Sequence, residues 1–225
     1  MKKSLESMKK SGLSLALFAM VSVILVVSTN RLTKETIAKN DKLLLLKTIN
    51  EIIPSEYYDN DLANTILNLD SQNTGFEKPV IVYIATLKGN PAYAVFKITT
   101  LKGYGVITLL IGINAKDQSL AGVRVVHHTE TPGLGDKIEI KKDDWILSFD
   151  GKSLGNPNIK GWAVKKDGGD FDQFTGATIT PRAIVNVVKS TLLYTKDNLN
   201  DVFVRSLKKQ KRDAMNSATE GNQND

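Results

Sequence analysis

Val80–His128 reads VIVYIATLKGNPAYAVFKITTLKGYGVITLLIGINAKDQSLAGVRVVHH, and this stretch decides the fold. Val80–Leu87 and Ala92–Leu101 are β-branched and aromatic runs separated by Lys88-Gly89-Asn90-Pro91, a turn composition, so they are expected to form a hairpin. Val106–Asn114 and Leu120–His128 repeat the pattern around Ala115-Lys116-Asp117-Gln118-Ser119. Four consecutive strands with short turns predict an antiparallel sheet with one face covered by helices, an α+β fold.

Helical periodicity flanks the sheet on both sides. Downstream, Thr180-Pro181 is a helix-start signal, with threonine as N-cap and proline at the first helical position. Ile184, Val187, Val188, Thr191, Leu192, Thr195 and Leu199 then supply a buried stripe, and the polar residues beyond about Lys208 read as frayed or disordered. Upstream, Leu32, Ile37, Leu43, Leu44, Leu46, Ile49 and Ile52 recur at helical spacing until Pro54, where a proline stops a helix. Ser55–Lys78 reads as irregular or as a short helix.

Gly12–Thr29, GLSLALFAMVSVILVVST, holds 18 consecutive uncharged residues. That is just long enough to cross a hydrocarbon core of about 30 Å at about 1.5 Å per residue. A secretory signal's apolar region usually runs about 7–15 residues and ends in a small-x-small site, so an uncleaved anchor is the better reading. Lys2, Lys3, Lys9 and Lys10 precede the span, and the positive-inside rule keeps that end in the cytoplasm and sends the rest across. The expected organisation is a cytoplasmic basic segment 1–11, a transmembrane helix 12–29, a juxtamembrane helix 30–54, an extracytoplasmic domain 55–207 and a polar tail 208–225.

Composition closes several routes to function. The 225 residues contain no cysteine, which excludes thiolate-ligated clusters, thiol nucleophiles and disulfides. The only histidines, His127 and His128, are adjacent on a strand and point to opposite faces, so one is expected toward the core and one toward solvent, without a shared metal. The net charge of +6 belongs to the ends: residues 35–204 carry 19 basic and 20 acidic side chains. A basic groove for nucleic acid is therefore not expected.

The chemistry concentrates in Gly168-Gly169-Asp170-Phe171-Asp172-Gln173-Phe174-Thr175-Gly176-Ala177-Thr178-Ile179-Thr180-Pro181. A glycine-containing loop delivers three threonines to a helix N-terminus, where unpaired amides and the helix dipole favour a phosphate. Taken alone, the same residues also read as an ordinary capped helix. A second loop, Glu130-Thr131-Pro132-Gly133-Leu134-Gly135, follows the last strand, where its glycines permit unusual backbone conformations and close approach to a flat ligand, or simply make a tight turn.

In that order, ETPGLG and DQFTGAT resemble the two signatures of the FMN-binding domain shared by the G subunit of the Rnf electron-transport complex and the C subunit of the sodium-translocating NADH:quinone reductase. GGDFDQFTGATITP looks closer to the Rnf G subunit. The resemblance implies FMN attached to Thr178 through a phosphoester, with Asp172, Thr175, Gly176 and Ala177 forming the recognition site of a flavin transferase. It also implies that Glu130, Thr131, Gly133, Leu134 and Gly135 lie against the flavin ring. Gly103-Tyr104-Gly105 matches a weaker family feature; Tyr104 reads equally as a flavin border or a strand residue, and Trp145 reads as core.

The implied function is an electron-carrying subunit of an ion-translocating ferredoxin:NAD⁺ oxidoreductase in the inner membrane, without turnover alone. Its partners would be the other membrane subunits, the transferase during maturation and the lipid bilayer. FMN would supply the redox chemistry that the side chains cannot. Membership of the quinone reductase, a membrane-anchored flavin sensor or adaptor, and a flavin-free structural subunit are the rival readings.

Overall fold

The computed structural model describes residues 2–221. Met1 and residues 222–225 of the expected polar tail lie outside the described residues, as do the side chains of Lys2, Lys3, Lys9 and Lys10 in the expected basic segment. The chain divides into two compact units, Met1–Leu45 and Leu46–Asp225.

The described residues of the first unit belong to α1 (Lys2–Ile52), which covers the expected transmembrane helix 12–29 and all but the last two residues of the expected juxtamembrane helix 30–54. No proline or glycine falls between Gly12 and Pro54, so nothing in the chain interrupts the ladder. Ser11–Ile52 is long and apolar enough to cross a membrane, and its Leu13, Phe18, Ile24 and Val26 are exposed. Ser22 returns its hydroxyl to the Phe18 carbonyl at 2.9 Å, which satisfies the serine within an apolar helix.

The second unit is built on a five-stranded antiparallel meander: β1 (Ile66–Leu69), β2 (Val80–Leu87), β3 (Asn90–Thr100), β4 (Ile107–Asn114) and β5 (Leu120–His128), hydrogen-bonded in chain order. The β2–β3 turn is tighter than the sequence suggested. Lys88 (φ 52°) and Gly89 (φ 78°) both adopt left-handed backbone, the geometry of a two-residue hairpin whose twist matches its strands. Pro91 then falls inside β3, opposite Thr86 at a bulge, where a missing amide is tolerated. β1 is a fifth strand that the sequence reading missed; Ser55–Lys78, expected to be irregular or a short helix, also holds the short helix α2 (Ser71–Thr74).

One face of the sheet packs on α3 (Ile179–Gly221), with Val82, Phe96, Leu109 and Ile111 meeting Ile184, Val188, Leu192, Leu199 and Val202 in one core. α3 continues through 208–221, where the sequence suggested a frayed end. Lys209 Nζ donates to the Ile66 carbonyl of β1 at 2.7 Å.

The opposite face of the central strands is covered too, which is why β4 is buried over seven successive residues instead of alternating. Gly112 and Gly122 sit opposite each other on β4 and β5. A β-carbon on Gly112 would lie 2.5 Å from Ile52 Cγ2, so the missing side chain makes the space that the last turn of α1 fills. Arg124, almost fully buried, donates to the Glu51 carbonyl at 3.4 Å and pairs with Asp150 at 3.3 Å, closing that turn.

Candidate functional site

The loop after β5 is held from several sides. Leu134 and Gly135 amides both donate to the Thr131 carbonyl at 3.1 Å, and Gly133 takes a φ of 78°, which explains a glycine there. The buried carboxylate of Asp136 accepts from Lys142 Nζ at 2.6 Å. The Lys142 ammonium, followed by the Gly133 N–H, holds the Asp136 carboxyl below the usual carboxylate range.

Lys142 also lies 3.2 Å from Glu139, which bonds His128 Nε2 at 2.9 Å. That imidazole bond, with Lys142 behind it, lowers the Glu139 carboxyl. His128 Nδ1 accepts from the Glu130 N–H at 3.1 Å, so the ring proton resides on Nε2 and is donated to Glu139. His127 is exposed and His128 half-buried in this polar network, so the pair alternates as expected, though His128 is bonded to carboxylate and backbone and does not enter the apolar core. Among the described residues no group of three potential metal ligands exists.

Glu130 is expected against a flavin ring, and the structure gives its side chain partners within the protein. Its side chain is 4% exposed, and both carboxylate oxygens are taken by the protein. Oε1 accepts the Gly105 amide at 2.9 Å, and Oε2 accepts the Thr180 hydroxyl. Gly135 has an ordinary backbone conformation (φ −87°) and is small for a different reason: a β-carbon there would lie 2.6 Å from Glu130 Oε2.

The second loop leads into α3. Trp145 Nε1 donates to the Asp172 carbonyl at 2.8 Å, while its ring packs edge-on against Phe174 at 5.2 Å and Phe149 at 5.3 Å. Asp172 is exposed and pairs with Lys165 at 2.6 Å; Gln173 Oε1 accepts the Lys166 amide at 3.1 Å. Asp167 bonds Arg182 on the first turn of α3 at 2.5 and 2.8 Å, and that guanidinium lowers the Asp167 carboxyl. Gly176 adopts φ 82°, a left-handed turn that reverses the chain just before the helix.

The three threonines differ. α3 begins at Ile179, two residues before Pro181, the expected first helical position, and Thr180 is fully buried with its hydroxyl spent on Glu130. Thr175 is exposed. Thr178 is half-buried at the residue that opens the helix, and its hydroxyl bonds no other described group. The Thr178 carbonyl accepts the Arg182 amide at 3.2 Å, so the amides of Ile179 and Thr180 precede the ladder, and Pro181 contributes none. A phosphate on Thr178 would meet the positive end of a long helix.

The two loops converge. A β-carbon on Gly176 would lie 3.5 Å from Leu134 Cδ2, and Glu130 reaches Thr180 two residues past Thr178. Thr131, Gly133, Leu134, Thr175 and Gly176 are exposed, whereas Ala177 is buried next to Thr178. Tyr104 is 64% exposed, and its two flanking glycines approach Glu130 and Thr129. Trp145 is core, as expected, but its indole N–H also fixes the loop ahead of α3; nothing in its sequence position signals that bond.

Residues 103–193 match the FMN-binding domain, and residues 1–52 match the RnfG N-terminal region. The chain is 44% identical over 204 residues to the G subunit of the ion-translocating oxidoreductase complex of Vibrio atlanticus, covering 90% of this chain and 97% of that protein. It is 45% identical over 198 residues to the corresponding protein of Shewanella baltica, covering 87% and 93%. The crystal structure of Shewanella oneidensis NqrC matches at 19% identity with a TM-score of 0.44, covering 67% of this chain and 73% of that one.

Proposed function

The chain belongs to the family of G subunits of ion-translocating oxidoreductase complexes, and on that premise we propose that it carries FMN esterified through its phosphate to Thr178. It would serve as an electron carrier between the other subunits of an Rnf-type ferredoxin:NAD⁺ oxidoreductase. The observation that carries this reading is the contrast among the threonines: Thr180 is buried and bonded, whereas Thr178 presents a free hydroxyl where two signature loops meet the N-terminus of α3.

FMN supplies reversible electron transfer that no side chain here offers. The protein's part is position. Ala177 and Phe174 anchor the loop in the core, Trp145 fixes the Asp172 carbonyl, and the amides opening α3 face the phosphate position. Asp172, Thr175 and Gly176 stay exposed, as a segment read by a transferase must be. α1 serves as the single anchor, with the N-terminus in the cytoplasm and the flavin domain on the extracytoplasmic side, as the flanking charges favour.

Intact mass and peptide mapping of the full chain from its native membrane test the attachment. The expected result is one FMN less water on the peptide containing Thr178, lost in Thr178→Ala. Modification that persists in that variant would place the flavin elsewhere. Protein that stays unmodified in cells shown to contain the transferase would remove the redox role.

A further inference from the structure

We propose that Glu130 is a positioning residue that sets the angle at which Thr178 is presented, by clamping the first turn of α3 to the loop ahead of β4. This rests on the reading of Thr178 as the attachment point. Glu130 is bonded to three segments: its N–H donates to His128 Nδ1 at 3.1 Å, Oε1 accepts the Gly105 amide at 2.9 Å, and Oε2 accepts the Thr180 hydroxyl.

The surroundings are shaped to this carboxylate. β-Carbons on Gly103 and Gly135 would fall 2.5 and 2.6 Å from its two oxygens, and one on Gly105 would collide with Thr129 Oγ1. Gly103 and Gly135 thus leave room for one buried acid, 50 residues away from the threonine it holds. A buried carboxylate with both oxygens committed to the protein is not offered to a ligand, and loss of either partner would leave it unsatisfied. Thr180 lies two residues beyond Thr178 across Ile179, so the clamp fixes the turn that presents the Thr178 hydroxyl.

The test compares the rate of covalent flavin incorporation into full-length chains co-expressed with the transferase, alongside thermal midpoints. Thr180→Val and Glu130→Ala are each expected to slow incorporation about tenfold, the factor for one hydrogen bond to a charged group. Glu130→Gln keeps a carbonyl for Gly105 and an amide for Thr180, so it is expected within about threefold of the unaltered chain. The double variant Glu130→Ala with Thr180→Val should be no slower than the slower single, because both remove one contact.

An unaltered chain that gains no flavin on Thr178 removes the attachment reading and this proposal together. A modified unaltered chain beside a Thr180→Val chain modified at the same rate removes only the clamp. Should Thr180→Val fail to fold, the two variants at Glu130 decide: slow incorporation in Glu130→Ala beside a rate near the unaltered one in Glu130→Gln supports positioning, and an unaltered rate in both overturns it. A loss in Glu130→Gln as large as in Glu130→Ala at an unchanged midpoint means the charge itself is required and overturns it.

Discussion

Leu134 and Gly176 stand face to face across the two signature loops, the leucine Cδ2 lying 3.5 Å from where a β-carbon on the glycine would be. That distance is ordinary contact, so space alone does not demand glycine at 176. Its left-handed φ of 82° does. Gly176→Ala is therefore expected to cost about 1–2 kcal/mol through backbone strain and to slow flavin incorporation. Urea unfolding checks the first part; an unchanged midpoint would show that the loop relaxes to a conformation alanine accepts.

Trp145→Phe separates the indole's hydrogen bond from its packing. The ring contacts to Phe149 and Phe174 are largely kept, while the 2.8 Å bond to the Asp172 carbonyl is lost. A stability loss of about 1 kcal/mol is expected, together with slower modification of Thr178. If mass spectrometry finds incorporation unaffected, the indole N–H does not orient the loop.

Gly112→Ala drives a methyl to within 2.5 Å of Ile52 Cγ2 and should destabilise the second unit by about 1–3 kcal/mol. Ile52→Ala removes the opposing atom, so the double variant should lose less than the two singles combined. Additive losses in denaturant titrations would mean that the two residues do not share this space.

Acid should loosen the loop after β5. Because Lys142 and the Gly133 N–H lower the Asp136 carboxyl in the folded chain, the unfolded chain binds that proton first as pH falls. The stabilisation is fully present above the unfolded value, about pH 4, and is lost as pH drops through the lower folded value. Stability measured against pH should fall less steeply below about pH 4 in Asp136→Asn. An identical slope would assign the acid sensitivity to other carboxylates, such as Asp167 beside Arg182.

The four long strands were legible because each is a β-branched run ended by turn residues, and α3 because its apolar stripe repeats with helical spacing. β1 was not: Ile66-Leu67-Asn68-Leu69 is short, lies between polar residues, and becomes a strand through pairing with β2. The helix start was misplaced for a related reason. Thr180-Pro181 carries a local capping signal, but the hydroxyl is claimed by Glu130, a partner that only the tertiary fold delivers. Resemblance brought the two loops together as a pair, and the fold adds that Glu130 faces inward, which a motif written in one dimension does not encode.

The bond from Lys209 to the Ile66 carbonyl bears on how the protein behaves beside the other subunits of its complex. β1 ends the sheet, and a terminal strand with free backbone groups is a template for strand addition by neighbouring chains. Here an ammonium group borne on α3 occupies one of those acceptors and places a charge at the border. Unwanted intermolecular pairing is disfavoured on that side of the sheet by the same helix whose opposite end opens at Thr178.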